Sequence, residues 1–133
     1  MRLSLDADVL IHAVDRDDWR QPLAARIIEA AAQRDCVLTL QAVSEFFHAV
    51  TRKRKLDPFL AQRRAEALLR SFGPAVPAIE AALPLAMEAR VAGRFAFWDA
   101  MLLATARLDG CEALISEDMA PGATLAGARV VPA

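Results

Sequence analysis

Leu3-Ser4-Leu5-Asp6-Ala7-Asp8-Val9-Leu10-Ile11 is the stretch that decides the fold. Apolar residues run up to Asp6, and a second apolar run begins after Asp8. Arg2 to Leu5 reads as a short buried strand, and Asp8 onward as a helix to Val14 with Asp8 as its cap. Asp6 then stands at the carboxyl end of a strand, the edge at which open α/β sheets bind ligands. A carboxylate in so apolar a setting is costly unless something compensates it.

Working outward, the same alternation recurs. Trp19 to Arg34 carries Leu23, Ile27, Ile28 and Ala31 at helical spacing, after a solvated Asp15–Asp18 turn. Val37 to Leu40 reads as a second strand. Gln41 to Arg54 reads as a helix whose core face is Val43, Phe46, Phe47 and Val50. Asp57-Pro58 caps and opens another helix, which stops at Phe72-Gly73-Pro74. Ala75 to Ile79 reads as a third strand, held to an edge by Pro77. Helices follow over Glu80–Gly93 and Phe97–Leu108, the second apolar almost all round and therefore buried. Ala113–Ser116 and Ala128–Val131 complete the strands. Strands alternating with helices predict a mostly parallel sheet of four or five strands, covered on both faces.

Composition narrows the classes. The chain has 133 residues, 56% of them hydrophobic and 25% charged, which suits one globular domain over 1–133. No apolar run reaches the roughly 18–20 residues of a membrane helix. Asp6 and Asp8 interrupt any secretion-signal core, so a cytoplasmic protein is expected. Cys36 and Cys111 are expected to be buried and reduced. The net charge of −1 supplies no global attraction for nucleic acid. Arg52-Lys53-Arg54-Lys55 and Arg63-Arg64 read equally well as phosphate contacts or as solvated helix ends. With no Tyr and scattered Phe, no stacking platform is visible.

Four acids carry the chemistry. Asp99 starts a core-facing stripe with Leu102, Leu103 and Ala106 on the Phe97 helix. Asp118 follows the strand ending at Ser116, and shares the Asp6 edge if the two strands are neighbours. Glu45 lies in the first half of the helix after the second strand. Each acid alone reads as a cap, a turn residue or an exposed helix residue; their joint placement is the signal. At an effective dielectric of about 20, like charges 4 Å apart repel by about 4 kcal/mol. A converged set therefore protonates or takes up a hard cation, and all-oxygen donors favour Mg²⁺ or Mn²⁺. Such an ion suits phosphodiester hydrolysis. Asp6-Ala7-Asp8 also fits a phosphatase of the haloacid dehalogenase type. Lys53 and Lys55, the only lysines, lie far from the last strand, where that chemistry wants one. Ser44 and His48 lack a third member for a hydrolase triad, and His12 and His48 form no zinc pattern with the cysteines.

Leu5-Asp6-Ala7-Asp8-Val9-Leu10-Ile11, Glu45, Phe97-Trp98-Asp99-Ala100 and Leu114-Ile115-Ser116-Glu117-Asp118-Met119 together resemble the PIN-domain family. Within it they are most similar to VapC-type toxins of bacterial toxin–antitoxin pairs. The resemblance implies a three-layer α/β/α sandwich and Mg²⁺- or Mn²⁺-dependent endoribonuclease activity. It implies that Asp6, Glu45, Asp99 and Asp118 are the acidic metal-binding residues and that Ser116 supports them. It also implies an RNA substrate, a cognate antitoxin and a homodimer. Asp8 stands where the family usually has Asn, which makes it a supporting residue or an extra ligand. The Asn that commonly precedes the terminal proline is absent before Pro132. The alternative function is a catalytically silent PIN-like module that binds RNA or protein.

Overall fold

The computed structural model describes residues 1–53 and 55–133; Arg54 lies outside the described residues. In chain order, β1 is Arg2–Leu5, α1 Ala7–Val14, α2 Gln21–Ala32, β2 Cys36–Val37, α3 Leu40–Arg52 and α4 Pro58–Phe72. There follow α5 Ala82–Val91, α6 Phe97–Leu108, β3 Cys111–Ser116, β4 Thr124–Leu125 and β5 Ala128–Pro132.

The five strands form one sheet in the order β2-β1-β3-β5-β4. All pairings are parallel except the short β4–β5 ribbon. The expected neighbourhood of β1 and β3 is therefore present. Leu5 pairs with Ile115 and Ser4 with Leu114, and the Asp6 amide donates to the Ile115 carbonyl at 2.9 Å. That register brings Asp6 beside Ser116 where both strands end.

Helices cover the sheet in two groups. The α1 helix packs on α2 and α3, and α3 packs on α4; α5 packs on α6, which lies against β3, β4 and β5. Between them sits a core that includes Leu5, Leu10, Leu38, Phe46, Leu102, Leu103, Leu114 and Val130, each nearly or fully sealed from solvent. A side chain of this size contributes about 1.5–3 kcal/mol when taken out of water. Caps set the helix starts. Thr39 Oγ1 accepts from the Ala42 amide at 3.0 Å, and Asp57 Oδ1 from the Leu60 amide at 3.1 Å. The α4 helix ends at Gly73, whose φ of +84° is open to glycine without steric cost.

Four expectations are corrected. The α1 helix starts at Ala7, and Asp6 rather than Asp8 caps it, because Asp8 is already inside the first turn. Ala75–Ile79 makes no strand: Val76 alone forms a parallel bridge to Thr39, using bonds to Leu38 and Leu40, before Pro77 ends the pairing. Phe47 is 38% exposed, since it lies at the border of the α3 apolar stripe while Phe46 is central. The α6 helix is buried over Leu102–Ala106, but Trp98 and Leu108 at its ends are exposed. Cys36 and Cys111 are buried and unpaired as expected; burial pushes their thiols up to about 12 and about 11. No described helix is long and apolar enough to cross a membrane.

Candidate functional site

The carboxyl edge of β1 and β3 gathers the first acids. Asp6 Oδ1 accepts from the Ala7 amide at 2.7 Å, and Asp6 Oδ2 from Ser116 Oγ at 2.8 Å. Both groups are buried. Asp8 does more than the sequence suggests. Its Oδ2 accepts from the Glu117 and Asp118 amides, both at 2.9 Å, and stands 3.3 Å from Ser116 Oγ. The start of α1 is thereby fastened to the chain leaving β3. Ser116 has one proton to give, so at any instant it serves one of the two carboxylates. Its oxygen also accepts from the Met119 amide at 3.2 Å. Asp8 Oδ1 is buried and has no hydrogen-bond partner.

Burial and like charge raise the carboxyl pKa values here. Asp6 is pushed up to about 7, chiefly by desolvation and then by the Asp8 charge, with Asp99 adding to the same direction. The bonds from Ser116 and Ala7 oppose this without cancelling it. Asp8 is raised by burial, against its two amide donors, and Asp118 raises it further. Asp99, half-buried in the first turn of α6, is raised by burial and then by Asp118. No cation is bonded to any of these carboxylates among the described residues.

Glu45 and Asp118 are both exposed, and of the two only Asp118 acts on the Asp8 and Asp99 carboxyls. Glu45 Oε1 accepts from Gln41 Nε2 at 2.7 Å, and the same nitrogen reaches the Trp98 carbonyl at 2.9 Å. The α3 carboxylate is thus linked through Gln41 to the residue before Asp99. Among the described residues, no three His, Cys, Asp or Glu side chains stand close enough together to hold a metal ion as they are. Asp6, Asp8, Asp99 and Asp118 act on one another through their fields, and the side chains do not close into a ready-made cage.

Both lysines stand elsewhere. Lys55 pairs with Asp15 at 3.0 Å, and Lys53, Lys55, Arg16 and Arg64 line a hollow near the end of α1. Glu45 sits near the middle of α3 and Arg52 at its end, seven residues or about 10 Å further along the axis. Lys53 and Lys55 thus gather at the end of α1, whereas Asp6 and Asp8 stand at its start.

Sequence reasoning missed the support around Glu117. His12 Nδ1 lies 3.1 Å from Glu117 Oε2 but off the direction a hydrogen bond needs. Arg20 reaches Glu117 at 3.4 Å and binds Asp18 at 2.8 Å. That Asp18 carboxyl is held well below the usual range by its bonds from Arg20. Gln41 was legible through its i, i+4 spacing to Glu45. The Glu117 contacts join parts of the chain about a hundred residues apart and leave no local signal.

An α/β domain with buried and half-buried carboxylates at the carboxyl edge of a parallel sheet belongs to a class whose acidic residues there are typical of metal sites. The PIN domain model matches residues 3–120, and the chain belongs to the PIN-domain family. Solved structures agree on the fold. VapBC2 from Rickettsia felis, solved bound to a DNA fragment from their promoter, matches with a TM-score of 0.74 at 10% identity, over 99% of this chain and 98% of that one. VapC20 from Mycobacterium tuberculosis, a toxin that cleaves the sarcin-ricin loop, matches at 0.65 and 17% identity, over 96% of this chain and 98% of that one. FitAcB from Neisseria gonorrhoeae matches at 0.66 and 21% identity over 87% of each chain. No curated protein sequence matches significantly.

Proposed function

We propose that this chain is a Mg²⁺- or Mn²⁺-dependent endoribonuclease that hydrolyses RNA phosphodiesters, the toxin of a toxin–antitoxin pair. The observation that carries the reading is the Asp6 carboxyl, raised to about 7 between Asp8 and Asp99, beside a buried Asp8 Oδ1 with no partner. Groups so arranged lack a positive counterpart. The donor set is all oxygen, which fits a hard divalent cation. Asp6, Asp99 and Asp118 would hold it, with Glu45 ligating directly or through water.

Such an ion, when bound, supplies charge neutralisation at the scissile phosphate and acidifies a water. The rest of the work falls to the chain. Ser116 fixes the rotamer of Asp6 through its 2.8 Å bond. Asp8 holds the Glu117–Asp118 backbone, and so the position of Asp118. Glu45, steadied by Gln41, orients the attacking water. The family resemblance adds a cognate antitoxin, homodimerisation and a cytoplasmic setting to the proposal.

The test is cleavage of RNA with Mg²⁺ by the wild type, Asp6→Asn and Asp99→Asn. Cleavage by the wild type alone is expected, and equal cleavage by all three would remove the assignment. One observation favours a second reading, a catalytically silent module that binds RNA or protein. No three described acids stand within metal-holding distance of one another. That reading predicts no gain in thermal stability on adding Mg²⁺.

A further inference from the structure

Trp19 is 84% exposed, more than any other aromatic side chain among the described residues. An indole left in water forgoes the burial that normally places this side chain inside. Its surroundings are nonetheless fixed. Asp18 Oδ1 accepts from the Arg20 amide at 2.9 Å, and its carboxylate takes the Arg20 guanidinium at 2.9 and 2.8 Å. The Gln21 amide closes the same turn onto the Asp18 carbonyl at 3.0 Å. Arg20 then ties the turn to Glu117, next to Asp118, at 3.4 Å. The Arg20 guanidinium lies 5.9 Å from the centre of the Trp19 ring.

Trp19, Arg20 and Leu23 share a hollow of about 370 Å³ with Glu117, Asp118 and Pro132. That volume lies in the range of small-ligand sites, roughly 300–1,000 Å³. The hollow opens beside one of the four acids. Its rim carries the carboxylates of Glu117 and Asp118, and its one cation, Arg20, is already paired with Asp18 and Glu117, so the lining offers no free positive charge to a phosphate. A nucleobase is neutral, flat and matched to an aromatic face, and base–aromatic stacking tolerates any sequence. The composition shows no stacking platform because Trp19 sits alone in a polar turn. The fold supplies one by carrying that turn to the end of β3.

Deepening the ribonuclease reading, on which it rests, we infer that the hollow between Trp19 and Asp118 receives an unpaired base of single-stranded RNA, stacked on the indole. The strand is thereby set in register with the acidic edge. The chain has two tryptophans, so Trp98→Phe leaves Trp19 as the sole indole reporter.

The experiment titrates Trp98→Phe with an unstructured RNA oligonucleotide, Ca²⁺ replacing Mg²⁺ to keep the RNA intact. Saturable quenching of Trp19 emission is expected. Trp19→Ala in the wild-type background should weaken binding of labelled RNA by about 5- to 150-fold, the range for loss of one stacked base. Trp19→Phe should restore most of it. Unchanged emission on adding RNA, or equal affinity in Trp19→Ala, overturns the inference and leaves the hollow to some other occupant. The two readings fail separately. Wild-type cleavage without Trp19 quenching removes only the stacking site, and quenching without cleavage removes only the nuclease.

Discussion

The two ends of β1 treat charge in opposite ways. At its start, Arg2 Nε meets Asp35 at 3.1 Å, and its Nη1 meets both the Asp109 carboxylate and the Asp109 carbonyl, at 3.1 and 2.9 Å. Each acid there has a cation, and the group is open to solvent. At its end, four residues on, Asp6 is buried and its charged neighbours are Asp8 and Asp99. The first arrangement finishes a strand edge. The second costs stability in the bare protein, because buried carboxylates face one another without a counter-charge. Without that contrast, an acidic residue at a strand end would mean little.

The strongest way to break the contrast is to remove charge at the buried end. Asp6→Asn and Asp99→Asn should each lower RNA cleavage by at least about 100-fold, in line with loss of a charged group at a reacting centre. The fold should survive, since neither substitution empties the core, and circular dichroism with a cleavage assay reads both outcomes.

The next effect is on stability and its pH dependence. Asp6 titrates near 7 in the folded chain against about 3.9 unfolded, so its charge opposes folding. The penalty is absent below about pH 4, grows as pH rises, and is complete above about 7. A carboxyl moved from about 3.9 to about 7 opposes folding by about 4 kcal/mol at most. Metal-free protein should therefore lose Tm as pH rises from about 4 to about 7, and Asp6→Asn should flatten that slope. An unchanged slope in the variant would show that Asp6 is not the group responsible.

A smaller effect sharpens the same point. Ser116→Ala removes the hydroxyl that bonds Asp6 and receives the Met119 amide. A cost of about 1–3 kcal/mol is expected from chemical denaturation, with Asp6 pushed higher still. At the other end of β1, Arg2→Ala should leave cleavage unchanged and lower Tm only slightly, because exposed ion pairs contribute little. A large activity loss in Arg2→Ala would erase the distinction between the two ends.

Much of this was legible in the sequence, for reasons that can be named. The run into Asp6 and the run into Ser116 are the two central parallel strands, buried on both faces, and such strands read as continuous apolar stretches. Their adjacency could only be assumed from the alternation of elements, and the register that sets Asp6 beside Ser116 confirms it. Asp8 was legible as an acid but not in its role, because its partners are amides 109 and 110 positions away. Val76 was overread: a short β-prone run beside Pro77 can make one bridge without making a strand. The β4 segment, two residues long, has too little pattern to announce itself. Phe47 and Trp98 show the limit of periodicity, which gives the direction of a helix face but not its width.

Calorimetric titration of the metal-free protein with Mn²⁺ at pH 7.5 tests the central claim most directly. Saturable binding, lost in Asp6→Asn and accompanied by a rise in wild-type Tm, is the predicted result. A folded wild type that takes up no Mn²⁺ and gains no Tm would contradict it.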